Sequence, residues 1–124
     1  MQDHSVKSKQ DITNATRDLI RGVLLGYAMQ KRVVAYSHLG NLIGIDVTAG
    51  DHERGLLSGI LADISTYENS RKRPLLSAVV NYKNDNSAGK GFYTLARDLG
   101  RTGDDDVILC TEMNEVFDFW SVSP

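Results

Sequence analysis

Pro74 divides the middle of this sequence into two kinds of periodicity. Before it, Leu56, Leu57, Ile60, Leu61, Ile64 and Tyr67 recur at helical spacing; after it, Leu75 to Tyr82 is an apolar run of strand length that includes β-branched residues. Proline disfavours helical geometry at the residue before it, so the helix is expected to end near Asn69 to Lys72 and the chain to go on extended. Upstream, Val33 to Ala35 reads as a short extended segment. Ser37 can then cap a helix with Leu39, Leu42 and Ile43 inward and Gly44 as its stop. Ile45 to Gly50 reads as a loop, and Thr48 or Asp51 can open the helix that Pro74 closes. A short helix, a turn, a longer helix and a strand is the order of a winged-helix domain.

The flanks fit the same plan. Ile12, Leu19, Ile20, Val23, Leu24, Tyr27 and Ala28 follow helical spacing and are expected to form a wide buried stripe, with Lys31 and Arg32 suited to the negative C-terminal end. Lys83 to Gly91 is rich in Asn, Asp, Ser and Gly and reads as a loop or wing tip. Phe92 to Leu99 makes a short helix. The last helix begins after Asp104, Asp105 and Asp106 and buries Leu109, Met113, Val116, Phe117 and Trp120. The expectation is a small α+β domain, mostly helical, with helices near 12–30, 37–44, 51–70, 92–99 and 106–120. The strand near 75–82 pairs with 33–35 or with a return strand in the wing. Residues 1–10 form a flexible arm, and 11–124 one compact domain with an acidic C-terminal helix.

Charge is unevenly placed. All 14 Lys and Arg residues lie at or before Arg101, so the chain up to Gly103 carries 14 − 10 = +4, whereas Asp104 to Pro124 carries six acids and no base. A body at +4 is far from the strongly basic composition of a non-specific DNA binder, so duplex affinity is expected to be modest and salt-sensitive. The single cysteine, Cys110, excludes an internal disulfide framework and agrees with a reducing compartment. No apolar run approaches the roughly 20 residues that cross a bilayer, nor does the polar N-terminus resemble a signal peptide. A soluble cytoplasmic protein without a membrane partner is expected.

The stretch Tyr36-x-x-Leu39-Gly40-x-Leu42-Ile43-Gly44, then Arg54-Gly55-Leu56, then Pro74-Leu75-Leu76-Ser77-Ala78-Val79-Val80, then Gly89-x-Gly91-Phe92-Tyr93, resembles the DNA-binding domain of alkylguanine-DNA alkyltransferases and alkyltransferase-like proteins. The resemblance covers about half the chain. It implies that Tyr36 works against the backbone of a flipped nucleotide and that Arg54 fills the gap left in the base stack. The family's reactive Pro-Cys-His-Arg sequence falls at Leu75 to Ala78, where this chain has neither cysteine nor histidine, and Cys110 lies in the acidic final helix. Alkyl transfer to a thiol is therefore not carried over, and the Tyr36 to Arg54 spacing is longer than the family's.

Other constellations are incomplete. Gly89-Lys90-Gly91 precedes a helix and can gather an anion, but it lacks the earlier glycine and the following Ser or Thr of a phosphate loop. Ser77 has no histidine partner at a motif spacing, and His4, His38 and His52 make no metal set. Glu68, just before Arg71, reads as part of a polar site near the strand entrance or, more commonly for such a residue, as half of a helix-surface ion pair. No catalytic residue, metal or cofactor is expected. The residues expected to contact duplex DNA, mostly at phosphate, are Tyr36, Arg54, Arg71, Lys72, Arg73 and Lys90, with Arg54 reaching bases. The alternative is an inhibitor or regulatory module whose Phe117, Phe119 and Trp120 dock on a protein partner or a second copy. A third reading is a small nucleotide-phosphate-binding protein using the Gly89 turn.

Overall fold

The computed structural model describes residues 9–82 and 88–121. The elements are α1 (Lys9–Met29), β1 (Val34–Ala35), α2 (Tyr36–Leu42), α3 (Asp51–Ser70), a 3-10 turn (Leu76–Val79), β2 (Val80–Asn81), α4 (Lys90–Asp98) and α5 (Asp105–Trp120). This is a mostly helical α+β arrangement. Helix α1 begins at Lys9, inside the segment expected to be an arm, while residues 1–8 and most of the expected wing tip lie outside the described residues.

The centre of the fold is the 3-10 turn, packed by α1, α3 and α5. Ile20 and Leu24 from α1, Leu57 and Ile64 from α3, Leu75, Leu76 and Val79 around the turn, and Ile108 and Val116 from α5 are almost wholly shielded from water. Each such aliphatic side chain contributes about 1.5–3 kcal/mol. The run after Pro74, expected as one strand, is thus a buried turn followed by only two residues of strand. Side chains take over backbone donors in place of a β-ladder: Leu75 N donates to Glu112 Oε1 (3.0 Å) and Ser77 N to Ser65 Oγ (3.0 Å). Strand β2 does pair with β1, in parallel, with Val34 opposite Val80 and Ala35 opposite Asn81. A parallel pair needs a crossover connection, and α2 with α3 supplies most of it.

Helix ends differ from the expected caps. Ala35 and Gly50 occupy the positions before α2 and α3, and neither helix has a side-chain cap from Ser37, Thr48 or Asp51. Gly44, at φ +78°, does stop α2. The inward faces are also narrower than expected, since Leu19, Leu42, Leu56 and Tyr67 are exposed and Met113 half-buried. In α3 the buried stripe continues instead through Ser65 and Glu68.

Candidate functional site

Helix α2 is joined to α3 by residues 43–50, which first fold back tightly on the end of α2. Ile45 N donates back to Gly40 O (2.8 Å), and a Cβ on Gly40 would stand 2.5 Å from Ile45 O, so only glycine lets the loop fold back here. That turn sets Tyr36, the first residue of α2, beneath α3. Its hydroxyl donates to Arg54 O (2.8 Å) and shares a hydrogen bond with Ser58 Oγ (2.8 Å), while its ring lies 5.2 Å from that of Tyr82. Burial pushes the Tyr36 phenol above its ordinary pKa, partly offset by the Ser58 hydrogen bond.

Beside Tyr36 a cavity of about 110 Å³ is enclosed by α2, α3, the 3-10 turn and the start of α4. Its wall includes Tyr36, Ser58, Ala62, Ser77, Tyr82 and Phe92. Ser58, which lines the cavity, is itself exposed on α3. Among the described residues the wall holds no thiol, imidazole or carboxylate, and its polar groups are hydroxyls and backbone. Ser77 is engaged inward, 2.6 Å from Ser65 Oγ. Gly89 packs against Tyr82, with which an added Cβ would be in ordinary contact at 3.5 Å, and Lys90 is exposed at the first position of α4.

The cations expected to touch DNA fall into two groups. Arg71, Lys72 and Lys90 are exposed. Arg54 is folded back on the α2–α3 turn, paired with the Asp51 carboxylate and donating to Val47 O (3.3 Å), though its side chain keeps 42% exposure. Arg73 turns inward, its Nε 2.7 Å from Glu68 Oε1, and its guanidinium stacks 5.5 Å from Tyr67 and 5.7 Å from Trp120. Glu68 is therefore not a surface partner of Arg71: it is fully buried and binds Arg73 together with Arg21 (2.8 Å). The hydrogen bond from Arg73 to Glu68 holds the guanidinium further above its already high pKa. Lys72 and Arg73 also line a hollow with Glu115, Asp118 and Phe119 of α5, so the acidic helix lies beside the α3 exit.

The aromatic residues of α5 differ in exposure. Phe117 and Trp120 are half-buried, whereas Phe119 is 54% exposed and meets Trp120 edge to face at 4.9 Å. Of the polar residues that organise the interior, Glu112 with Arg101 (3.3 Å) and Ser65 beside Ser77 were missed in the sequence, while Glu68, between two arginines, was read there chiefly as a surface residue. Helical spacing could have found Glu68, since it lies four residues after Ile64 on the same stripe.

Compared with protein-family models, curated proteins and solved structures, the chain matches none. No helix among the described residues is long and apolar enough to cross a membrane.

Proposed function

We propose that this protein is a non-enzymatic DNA-binding accessory protein of winged-helix type. In this reading α2 and α3 form its helix-turn-helix, and the cavity under α3 takes a base extruded from the duplex. The observation that carries the reading is the position of that cavity. It has three aromatic rings, Tyr36, Tyr82 and Phe92, for a planar heterocycle to lie against, and its wall includes Ser58, a residue exposed on α3. The exposed face of α3 bears Gly55, Ser58 and Gly59, where a duplex can approach the helix backbone without meeting bulky side chains. Arg71, Lys72 and Lys90 are available to phosphates, and Arg54, once released from Asp51, to the base stack. The hydroxyls of the wall can hydrogen-bond a base edge but offer no nucleophile with a partnering base, which favours binding over chemistry.

Fluorescence anisotropy with a duplex carrying one unpaired or O6-alkylated guanine, beside its fully paired counterpart and at two salt concentrations, tests this. The modified duplex is expected to bind about 10-fold more tightly, since extruding a paired base costs a few kcal/mol. Ala62→Phe, which fills the cavity from α3, should abolish that preference while leaving plain-duplex binding intact. Absence of binding to either duplex at low salt ends the proposal.

A second reading rests on Phe119, an exposed aromatic beside a hollow of mixed charge: α5 docks on a protein partner. Co-purification of a partner that Phe119→Ala releases is its test.

A further inference from the structure

Asn81 stands at the end of β2, opposite Ala35 in the ladder, and its side-chain Oδ1 is buried without a hydrogen-bond partner among the described residues. A buried carbonyl left unpaired is costly, so a donor is expected from outside the chain. Asn81 lines a hollow of about 220 Å³ between the end of α1, β2 and α5, walled otherwise mostly by carbon, with Val33, Leu109, Met113 and Phe117 among the contributors. One water can satisfy a carbonyl, but about 10–15 Å³ is enough to hold a water, and this hollow is many times larger. Val33 keeps 37% exposure, while Met113 and Phe117 are half-buried, so these side chains have apolar surface left to cover.

Lys31 is the cation of the same wall, exposed and without an ion pair among the described residues. Its backbone is held at φ +57° in the turn that closes α1, where Arg32 N donates to Tyr27 O (2.9 Å) and Lys31 N to Ala28 O (3.0 Å). Glycine is the ordinary residue at that position, because a Cβ is strained there. A lysine kept at a strained position, in the wall that also holds an unpaired carbonyl, calls for an anion as well as a donor.

We infer that this hollow binds a small aromatic carboxylate that also carries an N–H or O–H group. The ring lies against Phe117 and Met113, the carboxylate meets Lys31 Nζ, and the N–H or O–H donates to Asn81 Oδ1. Asn81 is only partly buried, and rotation about its soft last torsion brings the carbonyl to the ligand. An aromatic body is favoured over an aliphatic one because Phe117 offers a ring and Met113 a polarisable sulfur. A ligand of this size is expected to bind with a dissociation constant on the order of 100 µM. The hollow shares only Val80 with the cavity beneath α3, and the inference does not rest on DNA binding.

A chemical-shift titration of the full chain by 15N NMR tests it, with indole-3-acetate and 4-hydroxyphenylacetate as probes, each beside its N-methyl or O-methyl counterpart. At least one acid is expected to bind, with the largest shifts at the amides of Lys31, Asn81 and Phe117. Its methylated counterpart should bind about 10-fold more weakly, because the methyl group removes the donor. Asn81→Ala should erase that difference. Lys31→Gly should raise the melting temperature by relieving the turn, yet weaken binding of the acid about 5-fold. The proposal is overturned if neither acid shifts these amides up to about 5 mM, or if acid and methylated counterpart bind equally. Binding untouched by Asn81→Ala and Lys31→Gly alike, or shifts centred on Tyr36 and Ser58 instead, also overturns it.

Discussion

Glu68 Oε1 lies 2.7 Å from Arg73 Nε at a point where the carboxylate has no exposure, so the end of α3 is tied to the residue before Pro74 through a buried charge. Arg21 of α1 closes the other side at 2.8 Å. Both guanidiniums keep contact with water, their side chains being 28% and 20% exposed, and both lie over the rings of Tyr67 and Trp120. Removing the carboxylate leaves two half-shielded cations without an anion. Glu68→Ala is therefore expected to destabilise the fold by about 3 kcal/mol in urea titration. A loss below about 1 kcal/mol would show that the arginines simply swing out to solvent.

The Ser65–Ser77 pair predicts an asymmetry. Ser65 Oγ accepts the Ser77 backbone N–H as well as facing its hydroxyl, so Ser65→Ala leaves a buried amide unpaired and should cost about 2 kcal/mol. Ser77→Ala keeps that amide satisfied and should cost well under half as much. Equal losses in a side-by-side denaturation would contradict the hydrogen-bond assignment.

Two glycines should respond in opposite directions. Gly40→Ala places a methyl 2.5 Å from Ile45 O and 3.1 Å from Val47 Cγ1, against backbone that cannot retreat, and is expected to lose about 2 kcal/mol. Gly59→Ala meets nothing within 4 Å on the open face of α3 and should gain about 1 kcal/mol through helix propensity. If Gly59→Ala stabilises the protein yet weakens duplex binding, close approach of DNA to that face is the direct explanation.

Tyr36 makes stability depend on alkaline pH. Burial raises its pKa above 10.0, so the unfolded chain releases the phenolic proton first. Its contribution is fully present below about pH 10 and is lost as pH rises through the folded-state value. The wild type should therefore lose stability above about pH 10 faster than Tyr36→Phe, which lacks the proton altogether. Parallel slopes for the two proteins would remove the burial argument. At neutral pH Tyr36→Phe should cost about 1 kcal/mol through the lost bonds to Arg54 O and Ser58 Oγ.

Helix positions were legible because apolar residues recur at a fixed spacing: α1, α3 and α5 fall within a few residues of their expected bounds. The segment after Pro74 was not. Leu75 to Val80 looks like a strand because all its residues are buried, but burial on every side also suits a turn at the centre of a helical bundle. Which of the two forms depends on whether Ser65 and Glu112 reach its amides, and they stand 12 and 37 residues away from their partners. Tyr36 and Ser77 were singled out separately in the sequence; that they line one cavity follows only from the α2–α3 turn and the placement of α4.

Local chemistry thus determined the number of helices, the stop at Gly44, the break before Pro74 and the division between a basic body and an acidic end, since each depends on residues within a few positions of one another. Tertiary packing decided which charges remain free. Arg73 and Arg71 are indistinguishable in a basic triplet, yet one is locked on Glu68 and the other faces solvent. The reason is physical: a charge's state is set by what lies within a few ångströms and by how much water is excluded, and both are properties of the assembled fold.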